Sequence, residues 1–138
     1  MDIKYKANRH SVYSLKYHLV LTTKYRHKCI NDELFNYLKQ ESDRLFKMWN
    51  VELIEVSHDV DHVHFLLEIP PQVQISKLIN NYKTVTSRLM KKNFKDYLSK
   101  FYWKESFWNR SYLILSSGGS PIETIKKYIQ NQGSWIFS

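Results

Sequence analysis

Val60-Asp61-His62-Val63-His64-Phe65-Leu66-Leu67-Glu68-Ile69 is the run on which the reading of this chain turns. It is apolar enough to be a buried strand. Strand side chains alternate between faces, so Val63, Phe65, Leu67 and Ile69 point one way and His62 and His64 the other. Two imidazoles spaced i, i+2 on one face of a rigid strand form half of a metal site, because both can reach one cation. The same spacing also describes two hydrogen-bonded histidines in a partly buried sheet. What separates these readings lies near the far end of the chain.

Working outward, residues 51–57 read as a short strand and 58–61 as a tight connection, so the two strands form a hairpin. Before them, Asn31 is placed to cap a helix whose first turn carries Asp32 and Glu33. Its apolar side runs through Leu34, Leu38, Leu45 and Trp49, with Phe35 and Phe46 beside them, and Asn50 ends it. Tyr13 to Thr23 alternates and predicts a first strand, with Leu19 and Leu21 on one side and His18, Val20 and Thr22 on the other. Residues 1–12 are polar and basic and predict a loose arm.

After Pro70-Pro71 stops the histidine strand, a second helix begins near residues 74–76. Its predicted apolar face is Ile75, Leu78, Ile79, Tyr82, Val85 and Leu89. Residues 93–107 read as irregular, and Trp108 to Ser116 as a last strand. Ser117-Gly118-Gly119 breaks the chain, and Ser120 with Pro121 starts a final helix that Gly133 ends. The first six elements run β-α-β-β-α-β. The predicted fold is therefore α+β, a ferredoxin-like (RRM-like) antiparallel sheet with helices on one face and an appended C-terminal helix.

The chain of 138 residues predicts a single domain, with enough hydrophobic and aromatic residues for a folded core. Its net charge of +8 and pI near 9.5 favour a polyanionic partner, nucleic acid ahead of membranes. Cations surround an aromatic in Lys24-Tyr25-Arg26-His27-Lys28, a pattern suited to phosphate contacts with base stacking. Lys77, Lys83, Arg88, Lys91 and Lys92 decorate the second helix as a DNA-facing surface or a solvated face. We take Lys24, Tyr25, Arg26, Lys83 and Arg88 as candidate DNA contacts. The lone Cys29 excludes an intramolecular disulfide and a cysteine zinc site. No apolar N-terminal segment and no window of ~18 apolar residues is present, which predicts a cytoplasmic protein.

On the final helix Thr124, Tyr128 and Gln132 are four apart and share a face. Tyr128 is a candidate nucleophile, and Gln132 offers a carbonyl oxygen one turn away. A hard cation accepts such a ligand beside imidazoles. Here the residues carry a resemblance. Thr23-Lys-Tyr-Arg26 at the end of the first strand, Asp61-His-Val-His64, the basic helix after it and Lys127-Tyr-Ile-Gln-Asn-Gln132 are together similar to the single-tyrosine HUH transposases (TnpA type) of small hairpin-ended bacterial and archaeal insertion sequences. The similarity covers nearly the whole chain. Thr and Gln at positions 124 and 132 place it with the single-tyrosine and not the two-tyrosine class.

The resemblance implies that His62, His64 and Gln132 bind Mg²⁺ or Mn²⁺ and that Tyr128 is the nucleophile. It implies cleavage and rejoining of single-stranded DNA at element ends through a 5′-phosphotyrosine, without ATP and with no nucleotide cofactor. It also implies recognition of hairpin ends, nucleoid association during action, and a homodimer whose active sites are shared between subunits. Gly118-Gly119 is read either as a hinge for the tyrosine helix or as a plain turn. The alternatives are a zinc hydrolase built on His58, Asp61, His62 and His64, a catalytically silent module that binds nucleic-acid hairpins, and a domesticated enzyme with the same chemistry.

Overall fold

The computed structural model describes residues 6–7, 12–102 and 106–116. The strands are β1 (Lys6–Ala7), β2 (Val12–Tyr13), β3 (Lys16–Thr22), β4 (Glu52–His58), β5 (His62–Glu68) and β6 (Leu113–Ser116). The α-helices are α1 (Asp32–Met48), α2 (Ile75–Asn93) and the short α3 (Lys95–Leu98). The main sheet has the order β4-β5-β3-β6, and each neighbouring pair is antiparallel. With α1 between β3 and β4 and α2 between β5 and β6, this is the β-α-β-β-α-β arrangement expected from the sequence.

Local chemistry explains the boundaries. Asn31 caps α1, its Oδ1 accepting the Leu34 N–H at 2.8 Å, and Asp32 and Glu33 face the positive end of the helix. After Trp49, Asn50 takes φ 57°, a left-handed conformation that asparagine tolerates, and turns the chain into β4. Leu19 and Leu21 of β3 and Val63, Phe65 and Leu67 of β5 pack against Leu34, Leu38 and Phe46 of α1 and Leu78, Ile79 and Tyr82 of α2. Phe46 and Tyr82 stack at 4.9 Å between centroids, and Phe65 meets both edge-on.

The α2 face is rotated from its expected stripe. Thr86 and Met90 are buried where Leu89 was expected. Trp108 causes this: its Nε1–H donates to Thr86 Oγ1 at 2.9 Å, while that hydroxyl donates to the Tyr82 carbonyl at 2.7 Å. Three other boundaries also differ. Lys6–Ala7 pairs with Val12–Tyr13 as a two-stranded ribbon, so Tyr13 belongs to the ribbon and the first strand of the main sheet starts at Lys16. Residues 95–98 form α3 within the stretch read as irregular. The last strand starts only at Leu113, because Trp108 contributes an isolated bridge to Thr23 and then leaves for the core.

One irregularity sets up the site. The register of β4 on β5 shifts between Leu53 and Glu55, a β-bulge with Ile54 as the extra residue. Leu53 pairs with Leu67 and Val56 with Phe65, so both face the helices; Ser57 pairs with His64. His58 pairs with Val63 and thus lies on the helix side. Among the described residues no helix is long and apolar enough to cross a membrane.

Candidate active site

The sheet face away from the helices carries His62, His64 and Leu66 from β5. Register places Thr22 opposite His62, Val20 opposite His64 and His18 opposite Leu66. Both histidines of the motif thus share one face, and His18 joins them: its Nδ1 lies 3.0 Å from His64 Nε2, and the rings are 5.2 Å apart. Burial, then the neighbouring His18 and His62, hold the His64 imidazole below its usual pKa. It is therefore neutral at physiological pH, the form that offers a lone pair to a metal.

Asp61 anchors the other imidazole. Its Oδ1 lies 2.9 Å from His62 Nδ1, while Oδ2 accepts from Arg26 Nε at 3.0 Å and pairs with Nη2 at 2.9 Å. Burial is the largest single influence on this carboxyl and opposes its ionisation. Hydrogen bonds and charge from His62 and Arg26 together outweigh it, leaving Asp61 below the ordinary carboxylate value. An ionised Asp61 can only accept, so His62 Nδ1 donates to it, and the neutral form of the ring carries its lone pair on Nε2. Metal-binding histidines are commonly oriented by such a carboxylate.

The backbone ties the same residue to the Lys24–Arg26 turn. The Asp61 carbonyl accepts from Thr23 N at 2.9 Å and from Thr23 Oγ1 at 3.2 Å. Tyr25 and Arg26 are both left-handed, at φ 57° and 53°, which costs about 1–2 kcal/mol per residue. The Arg26–Asp61 pair offsets that strain. The turn leaves Tyr25 69% exposed, with Lys24 Nζ 5.4 Å from the centroid of its ring.

These observations sort the candidate residues. His62 and His64 are brought together; Tyr128, Gln132 and Gly118-Gly119 lie outside the described residues. Lys24 and Tyr25 are displayed beside the site, whereas Arg26 spends its guanidinium on Asp61. Lys83 and Arg88 lie on α2, behind the sheet. His58 is excluded from the His62–His64 face: it stacks on Phe35 of α1 at 4.1 Å and lies 3.4 Å from Asp32. The bulge is the reason, since an unbroken alternation would place His58 opposite His62. Among the described residues no group of three or more His, Cys, Asp or Glu is placed to hold a metal ion, so the zinc-hydrolase set is not assembled.

The imidazole pair nevertheless fits a shared cation site. One ring has its proton fixed by a carboxylate, the other is neutral, and among the described residues the buried Thr22 hydroxyl opposite His62 has no hydrogen-bond partner. His18 and Asp61 were absent from the candidate ligand set of the resemblance. Alternation puts His18 on the correct face of β3, and Asp61 adjoins the motif, but their contacts depend on strand pairing.

An antiparallel β-α-β-β-α-β sheet with a histidine pair on its open face makes this an α+β protein of the ferredoxin-like class. The chain belongs to the IS200-like transposase family, whose model matches residues 11–132. Members are DNA-breaking and strand-transferring enzymes of transposition. The chain is 32% identical to the ISDra2 transposase TnpA of Deinococcus radiodurans over 96% of this chain and 94% of that protein. It is 31% identical to the transposase for insertion sequence element IS200 of Salmonella typhimurium, over 92% of this chain and 82% of that protein. A crystal structure from Deinococcus radiodurans, of a protein assigned to the transposases, superposes with a TM-score of 0.84 at 34% identity, covering 92% of this chain and 97% of that one. A REP-associated tyrosine transposase bound to a REP hairpin shares the fold at a TM-score of 0.54 and 11% identity, over 96% of this chain and 80% of that one.

Proposed function

We propose that this transposase cuts and rejoins single-stranded DNA at the ends of an insertion sequence, with Tyr128 as nucleophile. The observation that carries the reading is the pairing of His62 and His64 on one sheet face with Asp61 fixing the His62 tautomer. The family match supports it, because it extends through Tyr128 and Gln132.

His62 Nε2, a ring nitrogen of His64 and the Gln132 carbonyl oxygen would hold Mg²⁺ or Mn²⁺. When bound, the ion supplies positive charge beside the non-bridging oxygens of the scissile phosphate. A tyrosine phenol in water titrates at about 10, so Tyr128 must lose its proton to attack. Its oxygen forms a bond to phosphorus, the bond from phosphorus to the 3′ oxygen breaks, and that oxygen takes a proton. The products are a 5′-phosphotyrosine and a free 3′-hydroxyl. One phosphoester replaces another, so the step is reversible without ATP and a new 3′-hydroxyl can resolve the adduct. The exposed Tyr25 ring suits stacking with an unpaired base, and Lys24 a neighbouring phosphate. Hairpin ends as substrate, and a homodimer with shared sites, belong to the same proposal. The hairpin held by the REP-associated structure is in keeping with that substrate.

The test is a denaturing gel on labelled hairpin-bearing single-stranded DNA, with wild type, Tyr128→Phe and His64→Ala, in Mg²⁺ and in chelator. A metal-dependent covalent protein–DNA band, missing from both variants and from duplex, is the expected result. Cleavage by Tyr128→Phe would overturn the assigned nucleophile. Binding without any adduct would favour a catalytically silent module.

A further inference from the structure

A second cationic site lies behind the sheet. A cleft of about 430 Å³ opens between α2 and the segment leading into β6, with Lys83, Arg88, Arg110, Asn80 and Thr84 on its walls and Trp108 at its base. Lys83 is half-buried there, its Nζ donating to the Arg110 carbonyl at 2.9 Å and lying 5.7 Å from the centre of the Tyr112 ring. Burial, then the nearby charges of Lys24 and Arg110, hold its pKa below the usual lysine value. Among the described residues none of Lys24, Lys83, Arg88 and Arg110 forms a salt bridge. Gathering like charges on partly desolvated walls is unfavourable in isolation. An anion relieves it.

We infer that this cleft binds a backbone phosphate of the DNA strand, as a site separate from the one at the histidines. Lys83 and Arg110 provide its charge, and Asn80 and Thr84 supply polar hydrogen-bonding groups. The topology gives the strand a path. Lys24 N donates to the Phe107 carbonyl at 2.9 Å and Asn109 N to the Thr22 carbonyl at 2.8 Å, so the cleft segment is tied to the end of β3 that pairs with His62. Between the two faces, at that same end of the sheet, stands the exposed Tyr25. A strand whose scissile phosphate meets His62 and His64 rounds this end past Tyr25 and sets another phosphate into the cleft. The inference rests on the proposed action on single-stranded DNA.

The experiment measures binding of a fluorescent single-stranded oligonucleotide by anisotropy across a salt series, without added metal. Lys83→Gln and Arg110→Gln are each expected to weaken binding several-fold and to lower the slope of log affinity against log salt by about 0.7, as for one lost single-strand phosphate contact. Lys47→Gln, the same charge change at an exposed position of α1, is expected to leave both values near wild type. Equal behaviour of Lys83→Gln and Lys47→Gln would overturn the site.

Amine footprinting of the wild-type protein by mass spectrometry needs no variant. Lys83 is expected to be protected by the oligonucleotide and not by inorganic phosphate at the same phosphate concentration. Protection by phosphate alone to the same extent would make a small anion the ligand and overturn the DNA assignment, as would no protection by either. Salt-dependent binding through Lys83 without any Tyr128 adduct would sink the proposed chemistry and keep the cleft. A normal adduct with an unprotected Lys83 would do the reverse.

Discussion

The two faces of β5 share one backbone and obey different rules. Val63, Phe65 and Leu67 face the helices, where shape and apolar volume decide the outcome. His62 and His64, one residue out of phase, face the open side, where one nitrogen of each ring has a specified neighbour. The first face tolerates any set of side chains that fills the space; the second tolerates almost none. Stability and chemistry are thereby separated at a distance of one residue, and mutations should separate them too.

The largest effects come from adjacent positions. Phe65→Ala, at a fully buried site, is expected to cost about 3–5 kcal/mol in urea unfolding. His64→Ala is expected to shift the midpoint little while lowering adduct formation by about a thousandfold, the scale seen on removing one electrostatic stabiliser. If His64→Ala unfolds the protein as readily as Phe65→Ala, the division between faces is wrong.

Asp61→Asn is a finer probe, because it keeps the size of the side chain and removes the charge that orients His62. Mn²⁺ affinity, read by calorimetry, should fall about 10–100-fold, the range for loss of a carboxylate behind a metal-bound histidine. Affinity equal to wild type would reduce Asp61 to an anchor for Arg26 and the Tyr25 turn.

The smallest effect tests whether the helix side is inert even at its single thiol. Burial pushes the Cys29 pKa up from 9.0 to about 11, against a weaker opposing hydrogen bond with Tyr102. The folded state therefore holds the thiol proton longer than the unfolded chain does. The associated stability is complete below pH 9.0 and is lost as pH rises toward about 11. Alkylation by iodoacetamide at pH 9.0 should be slow in native protein and fast in urea. Rapid native labelling would show that the core around Cys29 opens.

Much of the architecture was legible because its signals are local. The alternation in residues 62–69, the Asn31 cap and the spacing of Leu34, Leu38 and Leu45 each speak of one element and its own period. The strand bounds erred where a distant partner intervened. Trp108 continues the polar–apolar pattern of the last strand, yet it is drawn into the core by Thr86 and joins the sheet by only one bridge to Thr23. Thr86, polar and off the expected stripe, is buried for the same reason.

The candidate site divides along the same line. The sequence by itself determined that His62 and His64 share a face, since the period of a strand is two whatever surrounds it. Tertiary structure decided which other groups meet them. Pairing of β3 with β5 brought His18 to His64, forty-six positions away along the chain. The left-handed turn at Tyr25 and Arg26 delivered a guanidinium to Asp61. The bulge at Ile54 turned His58 away to Phe35. Register, bulges and ion pairs between distant segments depend on energies summed over both partners, and no pattern within one segment carries that sum.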